Sequence, residues 1–360
     1  MVDLKKIIKK TVCVILSLII AVFAVNFGIY FSDLQKTFDV TPEWKETVLN
    51  NYNEFIAEVD GDPNKIPMVV TTDQHGAIAA DSEVYAYFNS IVDWNKVSKI
   101  INLGDTVRNA YNLLELINYG KATECLPAEK RIEVIGNHDR FFVPTGKNVE
   151  KRFFDNPAAE YSSDRKAFVI NDEEYGIRYL AVDTKRFPYN YEHGELWTAQ
   201  ADFIIKELEK DDASDIVMLS HPYIFKDAVI NRSGGTFTGS EWFIGTSSEY
   251  TDVKQSFIDM LAARKNKTVG VLIDCEGVEH PYDFTNCKGD FLMTLHGHHH
   301  TEGYETKDGI TEFLFQSMTK DNADNTEPGV TYFAYIDRAA KTFKCWKNLP
   351  GYEAWEFPIA

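Results

Sequence analysis

Positive charge and cysteine are both scarce in this sequence. Its 360 residues contain 37 Lys and Arg against 55 Asp and Glu, which gives a formal net charge of −18 at pH 7. Such an acidic chain repels nucleic-acid backbones, so we expect no nucleic-acid partner. Only five cysteines are present, and no two have the CxxC spacing of a zinc knuckle. In an oxidising compartment Cys275 and Cys287 could close a short loop, and the alternative is that both stay free thiols.

Internal repeats and low-complexity segments are also absent, which excludes repeat arrays and disordered chains. With 44% hydrophobic and 13% aromatic residues, the chain has enough apolar material for a sizeable core. Its length suits one large catalytic domain or two small ones.

Long hydrophobic runs are rare, and the one that exists lies near the N-terminus. Residues 1–11 form a basic flank with four Lys, and residues 12–31 follow without a single charge. Twenty residues at a helical rise of about 1.5 Å span roughly 30 Å, the thickness of a bilayer core. The segment therefore predicts a transmembrane anchor or a cleaved signal peptide, with a buried core helix as the third alternative.

The basic flank also predicts on which side of a membrane the rest of the chain lies. Positively charged flanks stay in the cytoplasm, so everything after Phe31 would cross the membrane. The anchor and the signal peptide thus predict the same location, which is a domain anchored on the outer side of the membrane or secreted.

Behind this segment the chain divides into a short stretch, which is either a spacer or an N-terminal brace, and one large domain. Residues 32–65 are polar, with one helix predicted around residues 42–58. From residue 66 to residue 360, short β-branched runs alternate with amphipathic helical patterns, which is typical of an α/β domain with buried strands. Three consecutive strand-like segments without helices between them predict an antiparallel addition near the end: residues 312–315, 331–335 and 342–346.

Side chains that can bind metals occur directly after predicted strands. Because ligands of open α/β sheets bind outside the carboxyl ends of the strands, loops of this kind can converge on one place. The five clusters are Asp73-Gln74-His75, Gly104-Asp105, Gly136-Asn137-His138-Asp139, Ser220-His221 and Gly297-His298-His299-His300. The sequence therefore predicts a metal centre at the edge of a sheet.

The candidate ligands favour two transition-metal ions. Two carboxylates, one amide oxygen and four imidazoles form a mixed set that suits Mn, Fe, Zn or Co better than Ca or Mg. Seven ligands exceed the three or four that one catalytic zinc uses, and they divide between two ions if one carboxylate bridges. Two divalent ions, two aspartates and a bridging hydroxide leave a net charge of about +1, which favours a phosphate group.

The ordered set DxH, GD, GNHD, H and GHxH resembles the calcineurin-like metallophosphoesterases. The resemblance covers roughly residues 66–318. It implies an α/β fold, a four-layer sandwich of two mixed β-sheets flanked by helices, to which the sequence adds an apolar N-terminal helix. It also implies two divalent metal ions as cofactors and a phosphomonoester or phosphodiester as substrate.

The resemblance implies a role for each motif residue. Asp105 would bridge the two ions, and hydroxide bound to both would be the nucleophile. The other six ligands divide by ion: Asp73, His75 and His300 for the first, and Asn137, His221 and His298 for the second.

Four further residues would act without binding metal. His138 would stabilise the transition state or protonate the leaving oxygen, and Asp139 would hydrogen-bond behind it and fix its tautomer. Arg108 and Arg140 each follow a ligand loop, so their guanidinium groups could clamp phosphate oxygens. The alternative for each arginine is an ion pair with a neighbouring acid.

Arg108 also marks a departure from two branches of the family. At this position, the third after Asp105, purple acid phosphatases have Tyr and the nuclease branch tends to have His. The residue disfavours both subfamilies, and with the acidic composition it argues against DNA cleavage. Because the ligand set is complete, an enzyme is favoured over the alternative, a non-catalytic binding or scaffold protein with the same fold.

Overall fold

The computed structural model describes most of the chain. The described residues are 4–34, 40–76, 78–108, 113–139, 156–184, 195–225, 228–238, 251–318 and 330–360. Arg140, one of the two arginines predicted to bind phosphate, lies outside the described residues.

The described residues form six α-helices and seventeen β-strands. The helices are α1 (Leu4–Leu34), α2 (Pro42–Val59), α3 (Ile78–Ile91), α4 (Leu113–Thr123), α5 (Thr198–Leu208) and α6 (Thr251–Asn266). The strands of the first half are β1 (Lys65–Thr71), β2 (Lys99–Asn102), β3 (Arg131–Glu133), β4 (Glu160–Tyr161), β5 (Ala167–Asp172), β6 (Ile177–Val182), β7 (Asp215–Ser220), β8 (Ala228–Ile230) and β9 (Thr236–Thr238). The remaining strands are β10 (Val269–Ile273), β11 (Glu279–Asp283), β12 (Phe291–His296), β13 (Gly303–Lys307), β14 (Ile310–Leu314), β15 (Tyr332–Asp337), β16 (Thr342–Lys347) and β17 (Trp355–Pro358).

The strands form two large mixed sheets and one separate hairpin. The first sheet has the order β17-β16-β15-β1-β2-β3, in which β1, β2 and β3 are parallel and β15 is antiparallel to β1. The second sheet has the order β4-β5-β6-β7-β12-β14-β13-β8-β9, with β6, β7, β12 and β14 parallel. Strands β10 and β11 form a separate two-stranded antiparallel sheet. Each large sheet therefore brings the carboxyl ends of parallel strands to one edge.

The two large sheets pack face to face. The ring of Phe313 in β14 lies 5.1 Å from that of Phe343 in β16, and 5.3 Å from that of Phe357 in β17. Helix α2 covers the outer face of the first sheet, where Phe55 stacks on Phe333 of β15 at 5.4 Å. Aromatic rings thus hold three successive layers together.

A second core lies between the second sheet and helices α5 and α6. Strand β7 shows the division, because its successive side chains point to opposite faces. Val217 and Leu219 belong to the core between the sheets, whereas Ile216 and Met218 belong to the core with α5 and α6. The arrangement of helices, sheet, sheet and helices agrees with the layers expected from the motifs.

Helix α2 packs on the first sheet, so of the two alternatives for residues 32–65, a spacer or an N-terminal brace, the structure contains the brace. It begins after Thr41, whose hydroxyl accepts a hydrogen bond from Trp44 N at 3.1 Å, and Pro42 suits the first turn. Trp44, Val48 and Phe55 are buried at helical spacing. The predicted helix is thus present, but its apolar stripe fixes it to the first sheet.

The membrane segment predicted at residues 12–31 is the main departure from expectation. Residues 4–34 form helix α1, whose described side chains, those of residues 9–25, 27 and 28, are exposed. A membrane span needs about 20 predominantly apolar residues in a row. Within the described ranges, no helix is long and apolar enough to cross a membrane. The predicted anchor, and the apolar N-terminal helix of the expected fold, therefore have no support from the structure.

All five cysteines are free. Cys275 Sγ accepts a hydrogen bond from Leu196 N at 3.2 Å, and Cys287 Sγ donates to Leu208 O at 3.3 Å. Of the two alternatives for Cys275 and Cys287, the structure contains the free thiols.

Candidate metal centre

The candidate ligands follow the carboxyl ends of the parallel strands, at the edge where the two large sheets meet. Asp73 and His75 follow β1, Asp105 follows β2, and Asn137 follows β3 in the first sheet. His221 follows β7 in the second sheet, and two further histidines follow its neighbour β12: His298 and His300. The backbone joins the last two loops, since Gly297 N donates to His221 O at 3.0 Å.

One group of ligand atoms contains Asp73, His75 and His300, and these atoms all lie within 4.8 Å of one another. His300 Nε2 is 3.2 Å from Asp73 Oδ1 and 3.1 Å from His75 Nε2. Two imidazoles and one carboxylate that point to a common centre are a suitable donor set for a divalent transition metal.

A second group contains Asp105, His221 and His298 within the same limit of 4.8 Å. His221 Nε2 is 3.0 Å from Asp105 Oδ2 and 3.2 Å from His298 Nδ1. Asp105 Oδ2 also lies 3.9 Å from His75 Nε2 of the first group. Asp105 is therefore placed between the two groups, where a bridging carboxylate would have to be.

Asn137 lies at the same cavity as residues of both groups. It lines a cavity of about 320 Å³ together with residues of both groups, and the other lining residues are His75, Asp105, Arg108, His138, His298 and His300. The side-chain oxygen Oδ1 of Asn137 is buried and has no hydrogen-bond partner among the described residues. A buried carbonyl oxygen without a donor is costly, so this atom fits a role as a metal ligand.

Each aspartate has one oxygen held by the protein and the other directed to the histidines. Asp73 Oδ2 accepts hydrogen bonds from Thr72 Oγ1 at 2.7 Å and from His298 N at 2.9 Å. Asp105 Oδ1 accepts from His138 N at 2.7 Å. Fixing one oxygen in this way orients the second oxygen toward a metal ion.

The ring of His221 is oriented in the same manner. Its Nδ1 lies 2.8 Å from the carbonyl oxygen of Leu103. A carbonyl can only accept, so Nδ1 carries the proton and donates it. In the neutral ring this leaves the lone pair of Nε2 directed at Asp105 and His298, as a metal ligand requires.

The aspartates and histidines of the site shift the pKa values of one another. Burial raises the pKa of Asp73, but His300 and His221 outweigh burial and hold it well below its usual range. The pKa of Asp105 is lowered in the same way, since His221 and His138 outweigh burial. Burial lowers the pKa of His221, yet Asp105 and Asp73 raise it to about 9, so a metal ion that binds Nε2 would displace a proton from this ring. Both carboxylates are therefore ionised at neutral pH, which a divalent cation needs.

Backbone strain is concentrated at the candidate ligands. Among the described residues, nine that are not glycine have a positive φ, and five of these nine are candidate ligands: Asp73, His75, Asp105, His298 and His300. A non-glycine residue in this region costs about 1–3 kcal/mol and is typical of functional sites. The strain is an indication of function that does not depend on the motifs.

Two motif glycines allow the ligand loops to approach one another. A Cβ at Gly136 would lie 2.1 Å from Asp105 Oδ1, and a Cβ at Gly297 would lie 2.0 Å from Thr72 Oγ1. No side chain fits at either distance. These glycines are therefore required because the ligand loops touch, and not because they bind anything themselves.

His138 lies at the rim of the cavity, but its partner differs from the expected one. Its Nε2 is 4.0 Å from Asp105 Oδ2, and its Nδ1 lies 2.7 Å from the carbonyl oxygen of Arg108. The carboxylate of Asp139 instead accepts hydrogen bonds from Val107 N at 3.0 Å and Gly136 N at 2.9 Å. Burial and the nearby Asp105 raise the pKa of Asp139 to about 7. Asp139 thus holds the two loops together and does not contact the His138 ring.

Two supporting residues were missed in the sequence. Thr72 binds the Asp73 carboxylate, and Asn102 Oδ1 accepts a hydrogen bond from Gly104 N at 3.2 Å. Asn102 also contacts Tyr119 OH and Glu133 at 2.9 and 3.1 Å. Both residues are polar positions at the carboxyl ends of apolar strands, and that signal could have identified them.

No family model and no curated protein matches the chain. Solved structures do match. A predicted phosphoesterase from Streptococcus pneumoniae is 12% identical with a TM-score of 0.35, and the match covers 81% of this chain and 97% of that protein. A purple acid phosphatase from yellow lupin seeds is 13% identical with a TM-score of 0.41, covering 81% of this chain and 53% of that protein. GAP50, the anchor in the inner membrane complex of Plasmodium, is 11% identical with a TM-score of 0.44, covering 82% of this chain and 89% of that protein.

Proposed function

We propose that this chain is a metal-dependent phosphoester hydrolase that works with two divalent ions. One observation carries the proposal. Two groups of His and Asp ligand atoms, each within 4.8 Å, meet at Asp105 and open into the same cavity as Asn137, His138 and Arg108. The order of the motifs, which resembles the calcineurin-like metallophosphoesterases, supports the same assignment.

The donor set decides how the ions would be held. Mn, Fe, Zn and Co all accept a mixture of imidazole, carboxylate and amide ligands. When bound, the ions would activate the phosphoryl group and a water molecule for in-line attack. The proposed ligands of the first ion are Asp73, His75 and His300, those of the second are Asn137, His221 and His298, and Asp105 belongs to both.

Two side chains at the rim would act on the substrate directly. His138 is a third exposed and presents Nε2 to the cavity, where it can donate a proton to the leaving oxygen or stabilise charge on the phosphoryl group. Arg108 lines the same cavity, and a guanidinium group can bind two phosphate oxygens at once. The acidic charge of the whole chain does not oppose this, because bound metal ions and Arg108 would make the site itself positive.

The location outside the cytoplasm is a separate part of the proposal. Its support is the basic flank of residues 1–11 and the uncharged run of residues 12–31. A reporter that is active only outside the cytoplasm, fused after residue 360, would test it. A reporter that stays inactive there, while a cytoplasmic reporter is active, would overturn the location and leave the catalytic proposal intact.

The test of the activity is hydrolysis of para-nitrophenyl phosphate and bis-para-nitrophenyl phosphate by the full-length chain. The protein is reconstituted separately with Mn, Zn, Fe or Co, and metal content is measured for each preparation. We expect metal-dependent turnover, and the preferred ester then decides between a phosphomonoesterase and a phosphodiesterase.

Two variants show whether the activity belongs to this site. Asp105→Ala should lose both metal and activity, and His138→Ala should keep the metal while losing activity. A chain that binds two metal ions but cleaves no ester in a broad panel would favour the binding or scaffold protein instead. A chain that binds no metal would contradict the assignment of the ligands.

A further inference from the structure

We propose that Glu115 is a positioning residue that holds the His138 ring in place through the backbone of Arg108. The proposal rests on the proposed hydrolysis, because it concerns the side chain expected to act on the leaving oxygen. Glu115 lies in helix α4, outside every motif of the sequence.

The carboxyl group of Glu115 is inside the protein and binds the backbone next to a ligand loop. The residue is 0% exposed, and Arg108 N donates a hydrogen bond to its Oε2 at 2.8 Å. A buried carboxyl group needs hydrogen-bond partners, and the backbone N–H of Arg108 supplies one. Glu115 therefore fixes the chain three residues after Asp105.

The carbonyl group of Arg108 holds the His138 ring. The carbonyl oxygen of Arg108 lies 2.7 Å from His138 Nδ1, which must donate because a carbonyl can only accept. The N–H and C=O groups of Arg108 flank one Cα, so a restraint on the first limits the direction of the second. With the Nδ1 proton held by this carbonyl, Nε2 faces the cavity, and it can give a proton to the leaving oxygen when the ring is doubly protonated.

A second carboxylate restrains the same segment. Val107 N donates to Asp139 Oδ1 at 3.0 Å, so Glu115 and Asp139 bind successive backbone N–H groups. This arrangement replaces the direct contact between Asp139 and His138 that the motifs led us to expect. The orientation of His138 thus depends on the backbone at residues 107–108.

Gly76 provides the space for Glu115. A Cβ at this position would lie 2.8 Å from Glu115 Oε2, and Gly76 N donates to Thr106 O at 3.0 Å. The carboxylate is therefore packed between the loop that carries His75 and the segment that carries Arg108. A side chain placed this closely between two site loops has a defined position.

Leaving-group dependence distinguishes a positioning role from a purely structural one. Protonation of the leaving oxygen matters more as the leaving group becomes more basic. Esters of para-nitrophenol, phenol and a simple alcohol are therefore compared with full-length Zn-loaded protein. We expect Glu115→Ala to lower kcat about tenfold for the alkyl ester and less than about threefold for the nitrophenyl ester, with KM little changed.

Three further variants complete the design. Glu115→Gln keeps a side-chain oxygen that can accept from Arg108 N, so it should retain most of the activity. Glu115→Asp shortens the side chain by one methylene, so it should lose the contact with Arg108 N. It replaces Glu115→Ala in the test if Glu115→Ala folds poorly, and the same change in kcat is expected of it. Glu207→Gln, a change at a carboxylate that is 0% exposed in α5, should leave the leaving-group dependence unaltered.

Two measurements test whether Glu115 acts through His138: the activity of a double variant and the NMR spectrum of the His138 ring. If Glu115 acts only through His138, adding Glu115→Ala to His138→Ala should cost nothing further. The ¹⁵N signal of His138 Nδ1, identified by NMR against His138→Ala, should be that of a hydrogen-bonded N–H group in the wild type and should lose this signature in Glu115→Ala. Equal losses for all esters, or loss of metal in Glu115→Ala, would overturn the inference while leaving the hydrolase intact. If the wild type cleaved nothing, an unchanged His138 spectrum in Glu115→Ala would still overturn it.

Discussion

Two clusters of histidine and carboxylate lie next to each other at the end of β12, and they are built in opposite ways. His296 has a partner for each ring nitrogen, since Nδ1 lies 2.8 Å from Ser220 Oγ and Nε2 lies 2.8 Å from Thr294 Oγ1. His298, two residues further, instead directs Nδ1 at His221 Nε2, 3.2 Å away. One histidine is enclosed by hydroxyl groups, whereas the other faces a second potential metal ligand.

The carboxylates of the two clusters differ in the same way. Glu312 accepts hydrogen bonds from Ile224 N and Phe225 N at 3.0 and 3.1 Å, and it lies 3.4 Å from His296 Nε2. Burial raises the pKa of Glu312 to about 8 and lowers that of His296 to about 3, so this pair is neutral at pH 7. In the metal centre, burial is outweighed by opposite charges, and Asp105 is ionised. Proximity in sequence therefore does not decide the role of a histidine, but its partners do.

The largest effect is expected when Asp105, the ligand placed between the two groups of the metal centre, is removed. Asp105→Ala takes away the carboxylate that lies between both groups, so it should lower metal affinity by at least about 100-fold and abolish turnover. Metal content after desalting and the rate of ester hydrolysis measure the two effects. Retention of two ions per chain would contradict the placement of Asp105 between them.

The next largest effect is expected at His138. His138→Ala should lower kcat for phenyl phosphate by about 10²–10⁴-fold, because a positioned acid is lost from the rim of the cavity. Metal content should stay at the wild-type value, since the Asp105, His221 and His298 group is intact. A variant that lost metal would show that His138 is a ligand, as its 4.0 Å distance to Asp105 Oδ2 would permit.

A smaller effect is expected in the neutral cluster, and it concerns stability. His296→Ala should lower the free energy of unfolding by about 2–3 kcal/mol, because it leaves a cavity and removes the ring that pairs with the buried hydroxyl groups of Ser220 and Thr294. Chemical denaturation measures this change, and the metal content should not fall. If His296→Ala lost metal without losing stability, the separation between the two clusters would be wrong.

The last effect, which also concerns the neutral cluster, is a dependence of stability on pH. The pKa of Glu312 is raised from 4.5 in the unfolded chain to about 8, so the folded protein binds its proton more tightly. Stability from this group is complete below about pH 4.5 and is lost as the pH rises toward 8. Glu312→Gln, which imitates the protonated acid, should remove this slope. Between pH 5 and pH 8, the free energy of unfolding should therefore fall more in the wild type than in Glu312→Gln. An equal fall in both proteins would refute the raised pKa of Glu312.

The positions of the candidate ligands could be predicted because they depend on local patterns. Each cluster follows an apolar run, and parallel strands place their carboxyl ends together whatever their order in the sheet. The sequence therefore indicated that Asp73, Asp105 and His221 would meet. How His138 is held could not be predicted in this way, since its partner is a backbone carbonyl, which no residue type encodes.

Which strands pair with one another could not be predicted from the sequence either. The segments around residues 312–315, 331–335 and 342–346 were expected to form one antiparallel addition. Strands β15 and β16 do pair antiparallel, but β14 lies in the second sheet, parallel to β12 and antiparallel to β13. The next strands, β15 and β16, belong to the first sheet, where β15 pairs with β1. An apolar strand shows that it is buried, but its pattern does not identify a neighbour more than 200 residues away.

The amphipathic pattern of residues 42–58 shows the same limit. The cap at Thr41 and the spacing of Trp44 and Phe55 are sufficient to predict a helix. They do not tell whether its apolar stripe faces the domain or another surface. The contact of Phe55 with Phe333, 278 residues further along the chain, supplies that information in the structure.

The close contacts at Gly136 and Gly297 have a consequence for mutational scanning. Selection for activity would reject every side chain at these two positions, because even a methyl group would push Asp105 or Thr72 aside. Their tolerance profile would therefore match that of the metal-binding residues, although neither glycine has a ligand atom to offer. Only a metal titration would separate the residues that hold the ions from those that keep the space free.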